Sequence, residues 1–192
     1  MGSLIVVLIL FVALVTLYGW YASIIKKRNK VLEALGDIDA QLKRRYNLIP
    51  NLLKMAQKFM DHEKELFTEI TNMRESASSQ PRPNGAREAK ALFSNEQQLH
   101  EKMGQLFARF EAYPEMKSDG AMQKAMSSFH DVENDIAAAR RFYNSAVGQL
   151  NSSIQIFPGS ILAGFAKAEE MPFYEVENAA ERSSVNADDF LK

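Results

Sequence analysis

Residues 2–53 read GSLIVVLILFVALVTLYGWYASIIKKRNKVLEALGDIDAQLKRRYNLIPNLL, and the fold follows from how the pattern changes along them. From Gly2 to Ile25 no side chain is charged. As a helix at about 1.5 Å per residue this stretch reaches roughly 36 Å, enough to cross a hydrocarbon core of about 30 Å. Its interior is Leu, Ile, Val and Phe. Tyr18, Trp20 and Tyr21 gather at its far end, and amphipathic rings of this kind prefer the headgroup level. Lys26, Lys27, Arg28 and Lys30 follow at once as a cationic stop. A cleaved signal peptide needs a positive n-region and a small-residue cleavage site, and neither is present. A core helix of a soluble protein rarely stays apolar on every face for this long. Residues 1–25 are therefore predicted to be a transmembrane helix, which makes the lipid bilayer the first expected partner. The positive-inside rule predicts a single-pass topology with the N-terminus outside and the rest of the chain cytoplasmic.

Outward from the span, the period becomes that of a bundled helix. Val31, Leu35, Ile38, Leu42, Tyr46, Ile49, Leu53, Ala56, Phe59, Leu66, Ile70 and Met73 recur in steps of three and four, interrupted only by Glu63. Pro50 lies inside this seam, and proline normally kinks or breaks a helix. The phase nevertheless persists from Leu42 to Leu53. This predicts one long helix, about 26–78, continuous with the span and kinked at Pro50; two helices joined at 47–50 are the alternative. Pro81, Pro83 and Gly85 mark residues 76–85 as a mobile loop. A second helix is predicted at about 86–112, stopping before Pro114, and a third at about 117–156, stopping before Pro158 and Gly159. A short turn at about 160–166 completes a domain of residues 26–165. Residues 166–192 read as a loosely held, polar, acidic tail with a possible extended piece at 173–176. The fold class is all-α: a transmembrane helix continuing into a coiled-coil-like, antiparallel helical bundle. The first helix is too long for the second to cover, so the third helix or another copy must bury the remainder of its seam.

Composition narrows the function. The chain has 192 residues, a net charge of −1 and no cysteine. Near-neutral charge gives no sign of nucleic-acid binding. The lack of cysteine excludes structural disulfides and thiolate metal sites. A carboxylate-bridged metal bundle needs Glu-x-x-His pairs, but Phe59, Gln97 and Ser127 stand three residues before His62, His100 and His130. His62-Glu63 lacks the second histidine of a zinc-protease helix, and no phosphate-binding glycine loop or serine elbow is present. No metal or cofactor is expected. The methionines, among them Met55, Met103 and Met126, read as core filler rather than a binding surface.

Three stretches carry a family resemblance. The first is Ile38-Asp39-Ala40-Gln41-Leu42-Lys43-Arg44-Arg45-Tyr46-Asn47-Leu48-Ile49-Pro50-Asn51-Leu52. The second is Glu111-Ala112-Tyr113-Pro114-Glu115-Met116-Lys117. The third runs from Glu133 to Asn144 and is followed by Val147, Asn151 and Phe157-Pro158. In this order, behind an N-terminal span, they resemble the LemA family of bacterial membrane proteins. The resemblance implies an antiparallel bundle on an anchor in the bacterial inner membrane, in a family whose biochemical role is poorly defined. The proline-containing loop at 79–85 and the acidic tail depart from the family pattern.

Charged and phenolic groups cluster on the predicted helix faces: Asp39, Lys43, Arg44, Arg45, Glu111, Glu133, Arg140 and Tyr143. Read structurally, they pair across the bundle and fix its register. Read functionally, they form an acid–base or ligand site. The structural reading is the stronger, because buried pairs in bundles best serve specificity. Three accounts of function follow. The first is a non-enzymatic scaffold that self-assembles into a homo-oligomer at the membrane. The second is an adaptor for another membrane protein, in envelope maintenance or proteolysis, with the tail and the loop as contact sites. The third, an enzyme, rests on the charged cluster alone.

Overall fold

The computed structural model describes residues 2–175. α1 runs from Gly2 to Ala56 without interruption, so the apolar span and the first bundle helix are one element. Residues 4–20 expose their side chains on every face, whereas burial begins around Tyr21 and Ile24 is fully buried. The bundle core therefore starts just before the cationic stop, with no linker between them.

Pro50 sits inside α1. A proline has no N–H to offer the carbonyl four residues earlier, here that of Tyr46. That carbonyl instead accepts a hydrogen bond from Arg74 Nε at 3.0 Å. The orphaned acceptor thus has a partner on the neighbouring helix, which is why the phase survives the proline. Removing that donor should cost about 1–3 kcal/mol, the usual consequence of stranding a buried polar group. Arg74→Met is expected to show this loss in chemical unfolding of the detergent-solubilised protein. Adding Pro50→Ala, which returns an N–H to the Tyr46 carbonyl, should recover most of it. Equal losses with and without Pro50 would contradict the pairing.

The expected single helix to residue 78 is corrected at 57–63. There the chain leaves α1, and α2 begins at Lys64 and ends at Ser78. No glycine or proline marks this corner. It is made by packing: Met60 is fully buried, and Glu63 at the start of α2 pairs with Arg109. α3 spans Ala86–Phe110, the short α4 Pro114–Ser118, α5 Gly120–Gln155 and α6 Gly159–Phe165. Asp119 caps α5 by accepting a hydrogen bond from the Met122 N–H at 2.8 Å.

α2 and α3 lie antiparallel, with Lys102 pairing with Glu69 at 2.6 Å. α5 lies antiparallel to α1, since Asp135 and Glu133 face Arg44 and Arg45. α3 packs against α5 through Phe93 on Tyr143 and Phe107 on Phe129. The seam of α1 left over by α3 is covered by α5, not by a second copy: Leu35, Ile38, Leu42 and Ile49 are all buried within the chain. The 79–85 loop is also seated more firmly than expected. Pro83 is buried, and the Arg82 guanidinium lies directly against Gly36 of α1.

Residues 166–175 correct the expectation of a loose tail over that span. Met171 and Tyr174 are buried, and the backbone is held like a short ladder by two asparagines of α5. Asn151 exchanges two hydrogen bonds with Met171, at 2.9 and 3.0 Å. Asn144 does the same with Tyr174, at 3.1 and 2.8 Å. Residues 176–192, including the end of the expected extended piece, lie outside the described residues.

Candidate functional site

The most polar part of the core sits where α1, α3 and α5 meet. Arg45, one turn before Pro50, is 2% exposed, and Glu96 of α3 is 1% exposed. One guanidinium nitrogen of Arg45 pairs with Glu96, and another donates to Glu133 at 3.0 Å. The Tyr46 hydroxyl also donates to Glu96. Arg45 Nε is buried without a hydrogen-bond partner among the described residues. Three helices are thus tied through one guanidinium and two carboxylates. His100 stands at the rim, 3.9 Å from Glu133.

A cleft of about 180 Å³ opens beside this cluster, with Arg45, Glu96, Glu133, Arg140 and Tyr174 among its walls. Tyr174 closes one side. Its ring stacks on Phe93 at 4.2 Å, and the Arg140 guanidinium lies 5.9 Å from its centroid. Tyr143 donates to the Pro172 carbonyl at 2.9 Å, so the buried phenol also fastens residues 166–175, which form a strap along α5.

Burial of Arg45 opposes its charge, but the carboxylates of Glu96 and Glu133 outweigh that effect and raise its pKa. Arg45 is a permanent cation. Burial pushes Glu96 up to about 7, with Glu133 adding to the rise and Arg45 opposing it. Burial likewise raises Tyr143, and raises Tyr174 to about 12.

The sign of the Glu96 shift sets a pH dependence. The folded state holds this proton more tightly than the unfolded chain, so stability from Glu96 is present below about 4.5 and lost as pH rises through about 7. The loss is on the order of 3 kcal/mol across that window. The stability of the full-length protein should therefore slope downward from pH 5 to pH 8, and Glu96→Gln should flatten that slope. A slope unchanged by Glu96→Gln would place the titration elsewhere.

The structure brings some of the expected polar residues together and scatters others. Arg45, Glu133 and Arg140 share the cleft, and Tyr143 lies behind its strap wall. Asp39 and Lys43 do not reach across the bundle; they pair with each other at 2.8 Å, one turn apart. Arg44 forms an exposed bridge to Asp135 at 3.0 Å. Glu111 does not join the cluster: it is exposed at the C-terminal cap of α3. At the membrane end, Tyr18 and Lys26 are exposed, Trp20 is 42% exposed, and Tyr21, Lys27 and Arg28 are half-buried. The centre of the cluster, Glu96, was not among the residues expected. Its signal was available: Glu96 falls four residues after Leu92 and three before Leu99, a charged residue on an apolar seam.

These features define a membrane-associated, all-helical protein whose polar centre joins helices and whose long apolar helix leads directly into the bundle. The LemA family pattern matches residues 34–188, and this chain belongs to the LemA family. It is similar to the magnetosome protein MamQ of Magnetospirillum gryphiswaldense, at 25% identity over 88% of this chain and 73% of the relative. It is also similar to magnetosome protein MamQ 2 of Paramagnetospirillum magneticum, at 24% identity over 84% of this chain and 70% of the relative.

Proposed function

We propose that this chain is a non-enzymatic scaffold that self-assembles at a bacterial inner membrane, its bundle held on the cytoplasmic side by the cationic stop at Lys26, Lys27, Arg28 and Lys30. One observation carries the reading: α1 is unbroken for 55 residues, from apolar span to bundle. A helix of that length is about 80 Å long. With no linker between them, an encounter between two spans fixes the relation between their bundles, which is what an ordered array requires. The side chains of the α1 apolar stretch are available for such an encounter, since none of the described residues covers them. The polar centre suits a structural role, because the Glu96 side chain has no exposed surface and its oxygens already meet Arg45 and Tyr46.

The test is the particle mass of the full-length protein in mild detergent, beside a chain beginning at Tyr21. The cut must fall before Ile24, which belongs to the core. A uniform particle of several copies that dissociates on removal of the span is expected. A monomer at all concentrations would remove the scaffold reading and favour an adaptor that binds a different membrane protein.

A further inference from the structure

The end of the bundle nearest the span carries a second apolar surface. Because α5 runs antiparallel to α1, its last turn arrives level with the aromatic belt: Ile156 shares a groove with Trp20 and Lys27. The chain then turns through Phe157 and Pro158 into α6, which packs on α1 and α5. Leu162 and Ala163 hold α6 against the core. Ile161 and Phe165, one turn apart, face outward instead. Ile156, Phe157, Ile161 and Phe165 are 60%, 74%, 62% and 75% exposed, whereas the other large apolar side chains this exposed among the described residues lie within the span. The surrounding sequence is as telling. From Phe142 to Ala166 no side chain is charged, and the next residue is Lys167.

We propose that this corner is a membrane foot: Ile156, Phe157, Ile161 and Phe165 insert into the headgroup–acyl boundary of the leaflet from which α1 emerges. The occupant is lipid, because the patch continues the aromatic belt of the span and is carried on a stretch, Phe142 to Ala166, without a charged side chain, while Lys27 in the same groove and Glu170 beside Gln155 suit the headgroup level. The attachment rests on α1 crossing the bilayer, and adds to it a second point of contact. A lone helix can rotate about its axis and tilt. A foot placed to one side of that axis fixes both, and so sets which face of each bundle meets its neighbour.

Trp20 is the only tryptophan in the chain, which gives a direct test. The full-length protein is reconstituted into phosphatidylcholine vesicles with and without bromine on the acyl chains, and tryptophan quenching is read. Wild type reports on the span. F157W and F165W, each combined with W20F, report on the foot, and E111W with W20F reports on the far end of the bundle. The expected result is quenching for Trp20, F157W and F165W, and none for E111W. Quenching of Trp20 without quenching of F157W and F165W overturns the foot and leaves the anchor standing. Blue-shifted but unquenched emission from F165W has the same consequence and points to a second copy covering the patch. No quenching of Trp20 overturns the anchor, and the foot with it.

Discussion

Arg45→Ala should destabilise the bundle by about 3–5 kcal/mol, the cost expected when one partner of a buried pair is removed and the other is left behind. The side chain lost is among the largest that are fully buried. Its removal leaves Glu96 facing Tyr46 and Glu133 without a cation. The deficit should depend on pH. Glu96 can escape isolation by taking a proton, so the loss should be smaller at pH 5 than at pH 8. The compensated variant is the sharper measurement. Arg45→Met, Tyr46→Phe and Glu96→Leu together replace the buried part of the cluster with apolar groups and leave only Glu133, whose side chain is 24% exposed and can turn to water; such replacements are often neutral or stabilising. Near wild-type stability of the triple variant, beside a crippled Arg45→Ala, would assign the cluster to register and specificity. A triple variant as unstable as the single would mean that the cluster itself contributes net stability.

Gly159→Ala is the second large effect, expected at about 3 kcal/mol, toward the upper end for overpacking. Gly159 opens α6, where the backbone doubles back onto the last turn of α5. A Cβ there would overlap the Ser153 carbonyl oxygen and lie 3.0 Å from its carbonyl carbon. Both are backbone atoms, so no side chain can swing away to relieve the contact. Gly104→Ala provides the contrast. It lies exposed inside α3 with nothing within 4 Å of a new Cβ, and should gain about 1 kcal/mol from helix propensity. Comparable effects at the two positions would show that the close approach at Gly159 does not matter. Because α6 carries the proposed membrane foot, Gly159→Ala should also reduce the lipid quenching of F165W.

The parts of the fold that local physics controls were legible in the sequence. The charge-free run to Ile25 marked the apolar helix, and the unchanged phase around Pro50 marked a continuous α1. The turn at 57–63 was not legible. Its apolar positions stay in step across the corner because α2 folds back onto the same core that α1 serves, so the pattern records a shared core and not a shared helix. The strap at 166–175 was hidden for a related reason. Its backbone is satisfied by Asn144 and Asn151, seven residues apart on one face of α5, and nothing within the strap itself announces a partner. At the polar centre, Arg45 and Glu133 were found from the clustering of charge, whereas Glu96 was passed over. A single carboxylate among helix-forming residues looks like surface unless its place in the seam is counted. Glu111 shows the opposite error, a charge near a helix end that simply faces solvent.

A single helix, α1, carries the apolar span into the bundle with no hinge between them. Amide hydrogen exchange of the full-length protein in lipid vesicles reads that continuity residue by residue. Protection should run without a gap from the apolar span through Lys26–Val31 and on to Ile49, the residue before the amide-less Pro50, with exchange at the junction as slow as at Ile38 and Leu42. A fast-exchanging segment between Ser23 and Lys30 would reveal a hinge and rule out rigid coupling of span and bundle.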